Sequence, residues 1–276
     1  MTAIEWAHQT LNDQGGCTKV SEACQHCYAL RLSRWLGSMS KVPWYQVVTN
    51  GDRWTHRINT DIDRRREHFR KIRAARKSQR TFYGSMTDLF HEALEIDGEA
   101  LSVLAECAES LRNGCKVNQV VMLLTKRPER LLEWQKHYFP NGLPPQIWVG
   151  CTVENQKRAD ERIPVLVQVD AAVRYLSCEP VFGPIRLRPP VGHKDAWTTN
   201  LEWIIAGGES GTNARPAEPL WMQELRDQSV QANIPFHFKQ WGEWDANKVR
   251  VGKKQAGREL EGKTWDEFPP WTPGVK

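Results

Sequence analysis

Short apolar runs rich in β-branched or aromatic residues, each ending in small or polar residues and separated by helix-length stretches, leave this chain few architectures. The pattern predicts strands over residues 81–84, 120–124, 147–150, 174–176, 202–206 and 235–238, and helices over 98–111, 128–137, 155–167 and 219–232. Strands alternating with helices at this spacing imply a parallel sheet with right-handed crossovers. A cysteine-bearing segment opens the series. The expected fold is therefore α/β, a partial, open parallel β/α barrel of about six units over residues 1–244. Beyond it, residues 245–276 read as a tail or small appendage over the barrel, punctuated by Gly252, Gly257, Gly262 and Pro269-Pro270.

Polar residues recur at one end of the runs: Ser85-Met86-Thr87-Asp88, Thr125-Lys126-Arg127, Thr152-Val153-Glu154-Asn155, Ser177-Cys178-Glu179, Gly207-Gly208-Glu209-Ser210 and Lys239-Gln240-Trp241. In β/α folds the active site lies at the carboxyl ends of the strands, where loops from several units converge. Polar exits gathered on one rim argue for a single shared site and a single domain.

No stretch approaches the roughly 18 to 20 apolar residues that a membrane span needs, and the first residues lack a signal-peptide layout, so a soluble cytoplasmic protein is expected. Seven cysteines without a secretion signal read as metal-binding, catalytic or buried thiols rather than a disulfide framework. A net charge of +5 leans mildly towards polyanionic partners. The basic stretch at 63–80 reads as a helix, either a solvated face or a phosphate-contacting surface. The thirteen tryptophans read chiefly as packing residues, with base or cofactor stacking as the functional alternative.

Cys17, Cys24 and Cys27 are spaced C-x6-C-x2-C. Three thiolates can hold a [4Fe–4S] cluster and leave one iron without a protein ligand, open to a substrate or cofactor. Zinc is the rival occupant; His26 could complete a four-ligand set, but its place between Cys24 and Cys27 strains a tetrahedron. Cys107 and Cys115 fall in and after a helix. Cys151 and Cys178 alternate with Thr152 and Glu179, so these thiols face the helices if the polar side chains face the barrel interior.

The triplet followed by Tyr28, with SMTDLFHE (85–92), LTKRPERL (124–131), WVGCTVENQKRADERIPVL (148–166), LSCEPVFGPI (176–185), WIIAGGESG (203–211), ARP (214–216) and FKQWGEW (238–244), resembles the three-cysteine-motif family of uncharacterised phage and bacterial proteins allied to the radical S-adenosylmethionine (SAM) superfamily. The likeness covers nearly the whole chain. It departs from the superfamily's usual C-x3-C-x2-C spacing, and Leu11-Asn-Asp-Gln-Gly-Gly stands where the family's Trp-Asn-Pro form is expected. The resemblance implies a radical SAM-like barrel, a [4Fe–4S] cluster on Cys17, Cys24 and Cys27, and cleavage of SAM to a 5′-deoxyadenosyl radical, with an electron donor such as a flavodoxin or ferredoxin. It places Ser85, Thr87 and Asp88 near the SAM amino group; Asp88 as a helix cap is the structural alternative. Lys126 or Arg127 would pair with the carboxylate, unless Arg127 is taken by Glu129 or Glu154, while Glu154 or Asn155 would hold the ribose and Glu209 would contact adenine or substrate. Glu179 and Lys239 are expected either to orient substrate and move protons or to pair with each other.

A nucleic acid or nucleotide is the expected substrate, for modification or repair, although a small metabolite or a protein side chain suits a partial barrel as well. The competing class is a non-catalytic zinc- or cluster-bearing protein that binds nucleic acid or a partner.

Overall fold

The computed structural model describes residues 4–39, 45–188 and 197–270. Seven strands, β1 (Gln9–Leu11), β2 (Gln79–Tyr83), β3 (Gln119–Thr125), β4 (Ile147–Thr152), β5 (Arg174–Cys178), β6 (Trp203–Gly207) and β7 (Phe236–Gln240), lie side by side in sequence order. Every pairing is parallel, and the sheet curls into a half-barrel. Helices α1 (Tyr28–Gly37) and α2 (Ile62–Ala74) join β1 to β2; α3 (Glu99–Glu109), α4 (Pro128–Tyr138), α5 (Gln156–Leu166) and α6 (Pro219–Gln231) are later crossovers. Their starts follow local chemistry. The Asp61 carboxylate accepts from the Arg64 amide at 2.9 Å, Asn155 accepts from the Arg158 amide at 3.1 Å, and Pro128 and Pro219 occupy first turns where a missing N–H costs nothing.

All six expected strands are present, along with the basic helix, which runs over Ile62–Ala74. The added strand is β1, whose three half-buried residues, Gln-Thr-Leu, carry too little pattern to announce a strand.

Alternation along the strands sorts the core. Val149, Cys151, Leu176, Cys178, Ile204 and Phe238 face the helices in one large apolar cluster, where the alternation placed the two thiols. On the concave face Phe82, Met122, Trp148, Tyr175 and Trp203 join Trp6 to plug the amino-terminal half of the barrel. The tail supports this plug. Phe268 stacks on Trp203 with ring centroids 5.2 Å apart, and the Trp203 indole donates to the Glu267 carbonyl at 2.9 Å. Leu260 is buried in the helix-side core, so the tail is built into the barrel through residue 268; residues 271–276 lie outside the described residues. No helix of the described residues is long and apolar enough to cross a membrane.

Gly150 makes the plug possible. A Cβ there would stand 2.6 Å from the Tyr175 ring, which is fully buried and tied by its hydroxyl to the Leu123 carbonyl at 3.0 Å. Gly150→Ala should therefore cost about 1–3 kcal/mol in urea unfolding, because a pinned ring cannot step aside. Wild-type stability in that variant would show the plug to be loose.

Candidate functional site

Above the aromatic plug, at the carboxyl ends of the strands, lies a cavity of about 640 Å³. Its lining includes Cys17, Cys24 and Cys27 from the loop after β1, and Ser85, Thr87 and Asp88 from the exit of β2. Lys126 and Arg127 follow β3, and Glu179, Glu209 and Lys239 come from the exits of the last three strands. Polar residues spread over some 220 positions of sequence thus share one space.

The cysteine loop is fixed by its neighbours. Gly16 has φ +96°, and a Cβ there would meet the Arg57 carbonyl oxygen at 2.0 Å, so only glycine lets the chain turn into Cys17. Thr87 donates to the Gly16 carbonyl at 2.6 Å and accepts from Gln14 at 3.1 Å; the Ser85 hydroxyl donates to Asn12 at 3.2 Å. The hydroxyls of Ser85 and Thr87 are therefore engaged in holding this loop. Burial, reinforced by Asp88 and partly offset by Arg127, pushes the Cys17 thiol up to about 12. Burial acts the same way on Cys24, but the Lys126 ammonium and hydrogen bonds from the Val20 and Ser21 backbone outweigh it and hold that thiol below its ordinary value.

A charge network links the loop to two strand exits. Asp88 accepts from the Thr125 hydroxyl at 2.6 Å, the Lys126 amide at 3.0 Å, the Phe90 amide at 3.1 Å and Arg127 Nη1 at 2.9 Å. Arg127 also pairs with Glu92 and donates to Thr18 at 2.5 Å. Both Asp88 oxygens are thus committed within the protein, and Asp88 serves a turn rather than a helix cap. Arg127 is held by Asp88 and Glu92, not by Glu129 or Glu154.

Glu154 and Asn155 are not among the cavity's lining residues. Glu154 is fully buried, bonded to Ser21 of the cysteine loop and paired with Arg162 at 2.8 Å, while Asn155 caps α5. Glu209 is clamped by Arg215, whose Nη2 donates at 2.7 Å, with His26 Nδ1 3.5 Å away. Lys239 donates to both Glu179 oxygens, at 2.7 and 2.9 Å, so these two residues meet as an ion pair.

Among the described residues, the Lys126 ammonium and the hydroxyls of Thr152 and Ser177 line the cavity with no hydrogen-bond or ion-pair partner. Thr152 and Ser177 are register partners on β4 and β5, on the concave face just above Gly150 and Tyr175. Sequence reasoning did not single out their hydroxyls. Strict alternation was the available signal, since Ser177 lies two residues before Glu179 and Thr152 two after Gly150.

Among the described residues no three His, Cys, Asp or Glu side chains stand together as metal ligands. Cys17 Sγ donates to the Thr18 carbonyl at 3.5 Å, and Cys24 Sγ lies 3.7 Å from the Ser21 hydroxyl. The donor set nevertheless fits an iron–sulfur cluster. Three thiols of one short loop line the cavity, whereas Cys151 and Cys178 are turned to the helices. His26, which a zinc site would recruit, lines the same cavity, with Nδ1 3.5 Å from Glu209.

A family model described as "Protein of unknown function (DUF5131)" matches residues 1–269. The chain belongs to the DUF5131 family. No curated protein and no solved structure matches it. The region matched by DUF5131 contains all seven strands, the cysteine loop and every cavity residue named above. It also contains the basic helix α2, where Arg65 is fully buried against Asp13, Arg66 pairs with Glu106, and Arg70 and Lys71 share Glu67. In this DUF5131 chain α2 thus has one arginine packed into the core and three further cations in exposed ion pairs.

Proposed function

We propose that this protein is an iron–sulfur enzyme of the radical SAM type, related to the three-cysteine-motif group. One observation carries the reading: Cys17, Cys24 and Cys27 share a single cavity with an unpartnered cation and two unpartnered hydroxyls, at the carboxyl end of a parallel half-barrel. The cysteines would hold the cluster. Bound there, a reduced [4Fe–4S] cluster and SAM together supply a 5′-deoxyadenosyl radical able to take hydrogen from a substrate.

The chain's own residues position and shield. Lys126, beside Cys24, is the carboxylate anchor, because Arg127 is saturated by Asp88 and Glu92. Thr152 and Ser177 supply the hydrogen-bonding groups for the ribose that Glu154 and Asn155, which do not line the cavity, cannot. Asp88, Glu154 and Glu209 act as positioning residues that tie the strand exits to the cysteine loop and to Arg215. The Glu179–Lys239 pair stands ready to orient a polar substrate group. The aromatic plug closes the far end of the barrel, which limits quenching of a reactive intermediate by water.

Anaerobic reconstitution with iron and sulfide should give a brown protein carrying about four irons per chain. Reduction with SAM present should then release 5′-deoxyadenosine. The Cys24→Ala/Cys27→Ala variant should do neither. A colourless wild type carrying zinc, or a cluster retained in the double variant, would overturn the assignment. Lys126→Ala should load the same iron but bind SAM about 10-fold more weakly, the loss expected of one charge-assisted contact, readable by isothermal titration.

A further inference from the structure

The first turns of α1 border the cavity mouth. Three large apolar side chains there, Tyr28 (51% exposed), Leu32 (37%) and Trp35 (55%), follow one helical face at i, i+4 and i+7. An exposed aromatic stripe beside a polar cavity calls for an occupant. The charges around it specify which. Lys19 sits in the cysteine loop, Arg31 lines the cavity and donates to the Thr212 hydroxyl at 3.4 Å, the exposed Arg57 has its backbone carbonyl against Gly16, and Arg53 follows Asp52, which α1 holds through Arg34. None of these four cations has a carboxylate partner among the described residues. The nearby carboxylates are already paired: Asp52 with Arg34, Glu22 with Arg158, Glu92 with Arg127, Glu179 with Lys239 and Glu209 with Arg215.

We propose that this face of α1, fringed by Lys19, Arg31, Arg53 and Arg57, docks a single-stranded nucleic acid and delivers a base to the cavity. Exposed rings offer stacking faces to unpaired bases, which a duplex keeps buried, and arginines without a carboxylate partner match phosphodiesters. Tyr28 and Trp35 are about 10 Å apart along the helix. That distance corresponds to roughly three nucleotides at the rise of a stacked strand. The substrate assignment rests on the enzyme reading for the chemistry after binding, but the docking surface itself does not.

The test is fluorescence anisotropy of the full-length protein with labelled oligo-dT and oligo-U strands of about fifteen nucleotides. Trp35→Ala should weaken binding about 10-fold, the effect of one lost stacking partner. Arg31→Gln/Arg53→Gln/Arg57→Gln should lower the slope of log K against log salt by about 2. Arg66→Gln/Arg70→Gln/Lys71→Gln on α2 should match wild type, and all variants should keep wild-type melting. Wild-type affinity in both α1-face variants, an equal loss in the α2 control, or absence of saturable binding would overturn the docking surface. So would a concentration-dependent dimer that Trp35→Ala dissolves, since a second copy would then be the occupant. Binding that depends on Trp35 in a protein making no deoxyadenosine would retain the surface and reject the enzyme reading; deoxyadenosine without oligonucleotide binding would do the reverse.

Discussion

Arg127→Gln is expected to cost about 3–5 kcal/mol of stability, because it leaves the nearly buried Asp88 carboxylate without its counter-charge. The same change removes the Arg127 bonds to Glu92 and Thr18, so the exit of β3 loses its tie to the cysteine loop. A pH signature separates this cause from general loosening. Burial opposes ionisation of Glu92, but the hydrogen bond from Arg127, with those from its own backbone amide and Thr18 and the Arg127 charge, outweighs it and takes the carboxyl from its ordinary 4.5 to about 2. A depressed carboxyl contributes stability that is complete above the unfolded value and lost as pH falls through the folded one. The wild type should therefore lose stability from about pH 4.5 down towards pH 2, and the variant should lose less over that window. Urea unfolding at several pH values reads both effects. Parallel acid limbs in the two proteins would rule out Arg127 as the group that holds Glu92 ionised.

The strands were legible because each carries enough β-branched or aromatic residues to mark itself, and their polar exits pointed correctly to one rim. The alternation of Cys151 with Thr152 and of Cys178 with Glu179 was also sufficient to send the thiols to the helices. Partner choice was harder to read. Asp88, Arg127 and Glu154 all sit at strand exits, yet their partners Thr125, Glu92 and Arg162 depend on loop paths that no local pattern encodes. Residue type alone could not separate a committed carboxylate from a free one. Nor could charge density: the richest basic run became α2, where Arg65, Arg66 and Arg70 meet Asp13, Glu106 and Glu67, while arginines without a carboxylate partner among the described residues are scattered singly at 31, 53 and 57. A short strand such as β1 is defined by pairing with β2 at Gln9–Thr81, Thr10–Phe82 and Leu11–Tyr83 rather than by its own composition.

This committed chemistry implies a division of labour. Carboxylates at the rim hold the loops in place, and the groups left over, Lys126, Thr152 and Ser177, are short or singly charged. Such a surface suits a ligand that brings its own carboxylate and hydroxyls. It also means that the most damaging substitutions should lie beneath the cavity, where the loops are anchored.

Arg65 is the strongest case. Its guanidinium is fully buried, pairs with the equally buried Asp13, donates to the Ala100 carbonyl and reaches Gln14 at 3.2 Å. Gln14 in turn donates to Thr87 at 3.1 Å and to the Asp88 carbonyl at 3.2 Å, so one side chain on α2 sets the entry to the cysteine loop. Arg65→Met should cost about 3–5 kcal/mol, since it strands the Asp13 charge in the core. Arg65→Met/Asp13→Leu removes both charges and should recover much of that loss, because a buried pair and a well-packed apolar pair differ little in net stability. If Arg65 also positions the loop, the double variant should regain its melting temperature but load less iron than wild type on reconstitution. Full iron loading in a stable double variant would confine Arg65 to the packing of α2. Failure of the double variant to recover stability would show that the lost bonds to Ala100 and Gln14, rather than the stranded charge, dominate the cost.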